Sequence, residues 1–478
     1  MAPTAPHAPP LDRGRSAFAQ RAWHDAQAQL AAADLAAPLS PEDLERLAVA
    51  AHLAGEDLGS EETWIRAHHA WLLRGERPRA ARCAFWLAYR LLAAGDIPRA
   101  SGWAGRARRL LDEDGRPDCA ERGYLRCLTG LQALFEGDAA RAYAAFGEAS
   151  QAGERFRDPD LLTLARQGVG RALIRLGRAD EGSALLDEAM VAVVADEVSP
   201  AVAGEARCGR VEACREMLDV RGARTWTEAL GRWCAGQPQL VPYRGRWLLH
   251  RAETLSLRGD WADALAEAHR ACAAPGGPEA AARRLLGELH RLRGAYDDAE
   301  AEFRRAADAG ADPQPELALL RLAQGRTDAA AAAVLRLADE MPDGGGVERA
   351  RFLPAYAEIM LASSDLAAAR RAAEELSAVG ALLGTPQPRA AAAQATGAVL
   401  LAEGDARAAV PVLRGALGLW SALEIPYEAA RTRATLALAC RAAGDTETAA
   451  AELAAARAEF ARLGAAGDLS RLDALARG

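Results

Sequence analysis

The strongest constraint on this chain is a short glycine turn that recurs along its length between two helix-like patterns. It occurs in segments such as LAAGDIPRA, LFEGDAARA, SLRGDWADA and LLAEGDARA, and successive turns lie about 40 residues apart. The turn glycines are Gly55, Gly95, Gly137, Gly177, Gly259, Gly294, Gly325, Gly404 and Gly444, and Val220 and Ser364 occupy the two gaps in the series. Such spacing is typical of a repeat protein, in which one structural unit is stacked many times.

Each turn has the chemistry of a helical hairpin. Glycine ends the first helix in a left-handed conformation that costs other residues energy, and the aspartate that often follows caps the second helix. Small residues then let the two helices approach closely, as in the pattern of Ala299, Phe303 and Ala306. HEAT and armadillo units would match the repeat length, but the glycine turns and small-residue seams favour hairpins of the tetratricopeptide (TPR) kind. The sequence therefore predicts an all-α chain, a right-handed superhelix or solenoid of about twelve TPR-like hairpins.

The composition supports an all-α chain. Alanine is abundant, whereas the β-branched residues that a buried sheet requires are sparse. We predict a disordered tail at residues 1–12, a continuous TPR-like array at residues 13–467 and a capping segment at residues 468–478. Breaks rich in glycine and proline at residues 274–278 and 343–346 are candidate hinges, but they do not change the type of repeat.

Charge and composition exclude several classes of function. The sequence contains no lysine, so it can form neither a P-loop of the Walker A type nor a Schiff base. A net charge of −8 argues against direct binding to nucleic acid. No apolar stretch is long enough to span a membrane and no secretory signal is recognisable, so we expect a cytoplasmic protein.

The concave face of such an array is the predicted binding surface. Residues about three, six, ten and thirteen positions before each turn should face it, because they share one side of the first helix. On this basis we predict a ligand or partner surface formed by Tyr89, Tyr124, Arg171, Arg207, Arg210, Arg246, Glu253, Arg284 and Glu288. The same register selects Arg351 and Glu358. Several guanidinium groups in one concavity would suit carboxylates or phosphates, although they could equally pair with neighbouring glutamates and tie the repeats together.

The sequence predicts no catalytic residue, metal site or cofactor. His250 and Glu253 share a helical face, as do His269 and Cys272, but two ligands do not make a metal site. The eight cysteines include no C-x-x-C pair, and neither an H-E-x-x-H helix nor a G-x-S-x-G elbow is present. We therefore expect a chain that binds rather than catalyses.

Several segments together resemble the helical-repeat sensor region of actinobacterial LuxR-type transcriptional regulators. They include ARCAFWLAYRLLAAGDIPRA, ELALLRLAQGRTDAAAAAV, FLPAYAEIMLA and the ending AARAEFARLGAAGDLSRLDAL. The resemblance implies a sensor of TPR-like repeats that controls transcription. In that family an ATPase module can precede the repeats and a DNA-binding helix-turn-helix usually follows them, and we expect neither module in this sequence.

These observations favour a non-enzymatic regulatory or interaction protein. It would bind a peptide, a protein segment or a small acidic ligand in the concave groove, without direct contact to nucleic acid or membrane. One alternative is a ligand-sensing regulator of the LuxR type that lacks its own DNA-binding domain and relies on a separately encoded DNA-binding partner. A second alternative is an enzyme that uses the central groove as its active site.

Overall fold

The computed structural model of this protein describes residues 9–115, 118–341 and 346–477, and every regular element in these ranges is an α-helix. In chain order the 25 helices are α1 (Pro10–Ala19), α2 (Trp23–Ala36), α3 (Pro41–Leu53), α4 (Asp57–Leu73), α5 (Arg77–Ala93), α6 (Ile97–Glu113), α7 (Ala120–Phe135), α8 (Ala139–Phe156), α9 (Pro159–Arg175), α10 (Ala179–Val194), α11 (Pro200–Glu216), α12 (Val220–Ala235), α13 (Pro242–Arg258), α14 (Trp261–Ala273), α15 (Glu279–Leu292), α16 (Tyr296–Asp308), α17 (Glu316–Ala323), α18 (Thr327–Glu340), α19 (Gly346–Ala362), α20 (Leu366–Leu383), α21 (Pro386–Ala402), α22 (Ala406–Ala422), α23 (Pro426–Ala442), α24 (Thr446–Leu463) and α25 (Ala466–Arg477). Helices α1 to α24 form twelve consecutive hairpins, and α25 follows the last of them. The chain is an all-α solenoid of helical hairpins, as predicted.

The turns within the hairpins have the predicted geometry. Gly95, between α5 and α6, has a φ of 80°, and Asp96 caps α6 by accepting a hydrogen bond of 3.2 Å from the backbone N–H of Arg99. Ser364 takes the place of glycine between α19 and α20 with a φ of 65°. Between α11 and α12 the sequence assignment was wrong by two positions, because the left-handed residue is Leu218, with a φ of 55°, and not Val220.

Glycines inside the helices serve a second purpose that the sequence pattern did not reveal. The ring of Phe146 on α8 lies between Gly130 on α7 and Gly168 on α9, and a Cβ atom at either glycine would overlap that ring. The same relation joins Gly287 on α15 to Phe303 on α16. A missing side chain on a first helix therefore makes room for a large side chain on the second helix, and this brings the helices close together.

The helices are grouped into two compact units. The first unit comprises Met1–Leu176, Asp180–Arg210 and Ala229–Arg244, and the second comprises Gly177–Ala179, Val211–Glu228 and Gly245–Gly478. Helix α1 begins at Pro10, inside the predicted tail, while residues 1–8 and the predicted hinge residues 343–345 lie outside the described residues. The break at residues 274–278 is the turn between α14 and α15, within the second unit. One continuous array over residues 13–467 stays a prediction.

In the first unit, the residues just before α13 contact residues of α2 and α3. The backbone N–H of Val241, just before α13, donates a hydrogen bond of 2.9 Å to the carbonyl oxygen of Leu53 at the end of α3. The side chain of Gln239 accepts a hydrogen bond of 2.9 Å from the backbone N–H of His24 and donates one of 3.1 Å to Asp25. Residues that are about two hundred positions apart in the sequence thus hold this unit together.

The second unit also closes on itself, mainly through apolar contacts. Trp261 on α14 packs edge-to-face against Tyr427 on α23, with 5.5 Å between ring centroids, and both belong to one buried cluster with Phe460 on α24. At another point of the unit, the hydroxyl of Thr385 donates a hydrogen bond of 2.7 Å to the carbonyl oxygen of Met217. These contacts connect helices of the second unit that are far apart in the sequence.

We predict that Gly168→Ala destabilises the first unit by about 1 to 3 kcal/mol, because the new methyl group must displace the fully packed ring of Phe146. Gly147→Ala on α8 is the matched control, since a Cβ atom there meets no atom within 4 Å. Alanine in that open helical position should be neutral or stabilising. Urea unfolding followed by far-ultraviolet circular dichroism measures both variants, and equal stability of the two would contradict the packing account.

Candidate functional site

The second unit contains a partly open cavity of about 840 Å³. Its walls come mainly from the first helices of successive hairpins, α13, α15, α17, α19, α21 and α23, with further residues from α11, α12, α22, α24 and α25. First helices were predicted to form the concave face, and in this unit they do line the cavity. A cavity of this size is within the range of about 300 to 1,000 Å³ that holds small molecules and cofactors in proteins.

Much of the cavity wall is apolar. Its large apolar side chains are Leu218, Leu257, Leu285, Leu322, Leu361, Trp420, Ile425, Leu438, Phe460 and Leu472. Trp420 is oriented by a hydrogen bond of 2.6 Å from its indole N–H to the side-chain oxygen of Gln394, which also lines the cavity. Such a wall favours a ligand with an apolar part, because burying apolar surface is the main source of affinity in a cavity of this kind.

Charged side chains of both signs also face the cavity, and most of them are paired. Arg284 on α15 donates a hydrogen bond of 2.7 Å to Glu316, and Arg215 on α11 pairs with Glu253 on α13. On α23, the guanidinium of Arg431 lies 2.6 Å from Glu358 and 3.3 Å from Glu428. Arg471 pairs with Asp468 at 2.5 Å, and Glu288 accepts two hydrogen bonds, of 2.6 and 2.7 Å, from Arg291. Two of these pairs, Arg284 with Glu316 and Arg215 with Glu253, join neighbouring hairpins, which is the structural role that the sequence left open for the arginines.

Arg351 on α19 differs from the other arginines of the cavity. No described residue places a carboxylate within ion-pair distance of its guanidinium, although its surface is open to the cavity. The surrounding protein lowers the pKa of Arg351 by limiting its contact with water, and the positive charges of Arg215 and Arg284 lower it further. The positive charge of Arg351 is therefore poorly compensated within the cavity.

Glu316 at the start of α17 also has unused bonding capacity. Its Oε1 atom accepts the hydrogen bond from Arg284, but its buried Oε2 atom has no hydrogen-bond donor among the described residues. Burial raises the pKa of this carboxyl group above its ordinary value, in spite of the nearby positive charge of Arg284. The cavity thus presents one unpaired guanidinium and one half-satisfied carboxyl group.

The structure divides the predicted binding residues between the two units. In the second unit, Glu253, Arg284 and Glu288 line the cavity, whereas Arg246 pairs with Glu212 at 2.5 Å and is not part of the cavity wall. Arg351, which the register also selected, does line the wall. Whether any of these residues binds a ligand stays a prediction.

The predicted residues of the first unit are Tyr89, Tyr124, Arg171, Arg207 and Arg210. Tyr124 is only 1% exposed, and its hydroxyl donates a hydrogen bond of 3.0 Å to Asp158. Burial raises its pKa well above the ordinary value, so this hydroxyl group stays protonated at neutral pH. The side chain of Tyr124 is thus part of the packed interior rather than of an accessible surface.

The arginines of the first unit make internal contacts. Arg207 donates hydrogen bonds to the backbone carbonyls of Ala203 and Val193, and its guanidinium lies 4.9 Å from the ring centroid of Trp233. Arg210, 5% exposed at its side chain, pairs with Asp187 at 2.9 Å. Arg171 on α9 and Tyr89 on α5 are half-buried. Arg207 and Arg210 therefore have an evident structural role, and a further role in binding stays a prediction.

Sequence reasoning missed several residues of the cavity wall. Arg431 lies thirteen positions before the turn glycine Gly444, so the register that selected Arg351 could also have found it. Glu316 begins an eight-residue helix and lies nine positions before the turn glycine Gly325, a position that the register does not include. Asp468 and Arg471 lie on α25, which has no following turn among the described residues.

The two pairs of potential ligands named in the sequence, for which no metal site was predicted, do not extend into larger groups in the described residues. His250 lies 3.4 Å from Glu253, but nowhere in residues 9–115, 118–341 and 346–477 do three His, Cys, Asp or Glu side chains form a group that could hold a metal ion. Within the same ranges, no helix is both long and apolar enough to cross a membrane.

Comparisons with known proteins add two distant structural similarities. The sequence matches no family model and no curated protein. A chain of the Cut9–Hcn1 hetero-tetramer of APC/C is 14% identical, with a TM-score of 0.48 over 94% of this chain and 86% of that one. A tetratricopeptide repeat protein from Parabacteroides merdae is 16% identical, with a TM-score of 0.35 over 59% of this chain and 98% of that one. Neither likeness bears on what this chain binds.

We predict that Arg431→Gln destabilises the second unit by about 1.5 to 3 kcal/mol, because it leaves Glu358 and Glu428 without their shared cation. The pKa of Arg431 points the same way: burial would lower it, but attraction by these two carboxylates raises it above the ordinary value. Arg433→Gln on the same helix is the control, because Arg433 pairs with one carboxylate, Glu452, instead of two and should contribute less than about 1 kcal/mol. Urea unfolding at low salt measures both, and an equal loss in the two variants would argue against a special role for Arg431.

Proposed function

We propose that this chain is a non-enzymatic binding protein that holds a small organic ligand in the cavity of its second unit. The observation that carries the proposal is the cavity itself, about 840 Å³ in volume, with a largely apolar wall and a small number of charged groups. Sites for small molecules in proteins commonly combine this size with such a wall, because the apolar surface supplies affinity and the polar groups fix orientation.

The closure of the second unit favours a small ligand over an extended peptide. Contacts between α14 and α23, and between Met217 and Thr385, connect parts of the unit that would lie far apart in an open solenoid. A peptide that runs along a solenoid needs a continuous open groove, whereas a compact molecule can be surrounded by helices on several sides. A peptide or protein segment in this cavity is the alternative that the experiment below separates.

A binding role fits the carboxylates of the cavity other than Glu316 better than a catalytic one. Acid/base catalysis requires a group that can take up and release a proton next to the substrate. Here the pKa values of Glu253 and Glu358 lie below their ordinary value, because attraction by Arg215 and Arg431 outweighs burial and keeps these two groups charged. Such groups position a charged or polar ligand.

We also propose that ligand binding has a regulatory role. A ligand in the cavity would contact helices of several hairpins at once, including both sides of the closure, and would therefore stabilise the closed unit. The resemblance to the sensor region of LuxR-type regulators supports this view, and it makes a sensor that works through a separately encoded DNA-binding partner the second candidate. A cytoplasmic location and the lack of direct contact with nucleic acid stay predictions.

We predict that purified protein incubated with a cellular metabolite extract retains a small molecule in native mass spectrometry, and that Ala398→Trp abolishes the retention. Ala398 on α21 lines the cavity, so an indole there would fill part of the space that the ligand needs. Ala402→Trp on the same helix is the control, because Ala402 is exposed and lies outside the cavity wall.

Two outcomes would contradict the proposed function. Retention of the same molecule by wild type and Ala398→Trp would place the ligand outside the cavity. Failure of wild type to retain any small molecule, together with protection of the cavity residues by a peptide in hydrogen exchange, would replace the small ligand with a protein segment. Circular dichroism of both tryptophan variants verifies that they retain the helical fold.

A further inference from the structure

Among the described residues that line the cavity of the second unit, every charged side chain except one has a hydrogen-bond or ion-pair partner. Every carboxylate in the wall accepts at least one hydrogen bond or ion pair. The partners are Gly222 N–H for Asp219, Arg215 for Glu253, Arg291 for Glu288, Arg284 for Glu316, Arg431 for Glu358, Arg431 and Gln394 for Glu428, and Arg471 and Tyr427 for Asp468. Of the five arginines in the wall, four appear among these partners, and the fifth is Arg351.

Arg351 is accessible from the cavity and has no ionic partner among the described residues. It lies on α19, and its exposed side chain faces the open space of the cavity. The guanidinium groups of Arg215 and Arg284 are close enough to disfavour its charge, and the nearby Glu253 and Glu316 already serve those two arginines. Arginine does not lose its proton in a protein, so the group cannot relieve this situation by becoming neutral.

A charged group without a protein partner in the wall of a cavity is a common property of binding sites, because a group that the ligand will pair is left unpaired in its absence. We propose, on the basis of the function proposed above, that Arg351 binds a carboxylate group of the ligand. The planar fork of a guanidinium matches the two oxygens of a carboxylate, and the pair is stronger in an enclosed site than in water.

The surroundings favour one negative charge over several. Seven carboxylates and five guanidiniums line the cavity, so a multiply charged anion such as a polyphosphate would meet more repulsion than compensation. One carboxylate on Arg351 would complete the pairing of the arginines in the wall. The rest of the ligand would lie against apolar residues such as Leu257, Leu322 and Leu361. The expected chemical class is therefore a monocarboxylate with an apolar body.

The test uses isothermal titration calorimetry of the full chain with linear monocarboxylates from butanoate to decanoate, their primary amides and the corresponding alkyl phosphates. We expect a carboxylate of suitable length to bind, and its amide and phosphate to bind at least about tenfold more weakly. Arg351→Gln should weaken carboxylate binding by about tenfold to a hundredfold. Arg349→Gln is the control, because Arg349 lies on the same helix but pairs with Glu375 outside the cavity wall, and it should bind the carboxylate as wild type does.

A second measurement needs no ligand. Arg351→Gln should leave the melting temperature of the ligand-free protein unchanged or raised, because it removes an uncompensated charge, whereas Arg284→Gln should lower it by leaving Glu316 without its cation. A lower melting temperature of ligand-free Arg351→Gln would overturn the inference, because it would show that Arg351 has a structural partner.

The remaining outcomes separate this inference from the proposed function. If wild type binds none of the carboxylates, or if Arg351→Gln binds them unchanged, the inference fails. The proposed function still stands in that case, provided that the cavity retains a metabolite that Ala398→Trp excludes. If carboxylates bind equally to wild type, Arg351→Gln and Ala398→Trp, then both the inference and the cavity as the binding site fail.

Discussion

The architecture of this protein depends on the close approach of consecutive helices, which requires a small residue to face a large one. The ring of Phe146 packs directly against Gly130 and Gly168. In another hairpin the side chain of Leu413 packs against Gly397 in the same way. Because alanine and glycine occupy the seams between helices, the long arginine and glutamate side chains must lie on the remaining faces. The charged groups in the wall of the cavity are thus a consequence of the same packing that forms the hairpins.

Much of the fold follows from local sequence. The turn glycines, the aspartate caps and the helical periodicity were sufficient to predict an all-α chain of about twelve hairpins, because each depends on residues a few positions apart. The misplaced turn at Val220 shows the limit of that reasoning. Leu218 adopts the left-handed conformation without being glycine, since the hairpin around it fixes the chain more strongly than local preference does.

The closure of each unit could not have been predicted in the same way. It depends on pairs such as Leu53 with Val241 and Trp261 with Tyr427, whose members are about 170 to 190 residues apart in the sequence. No repeat pattern encodes such contacts, because small rotations between hairpins accumulate along the array before the ends can meet. For this reason the sequence indicated which residues face inward, including Arg284 and Arg351, but not that they would line one common cavity.

The absence of lysine shapes the electrostatics of that space. A lysine in an enclosed site can lose its proton when no partner is available, but an arginine keeps its charge and must be compensated by another group. In the cavity of the second unit the carboxyl groups are therefore the ones that adapt. The pKa of Glu358 falls because the attraction of Arg431 and Arg291 outweighs burial, while the pKa of Glu316 rises because burial outweighs the attraction of Arg284. Arg351 has no such adaptable carboxylate of its own among the described residues, so its charge must be met from outside the wall, by water or by the molecule that the cavity holds.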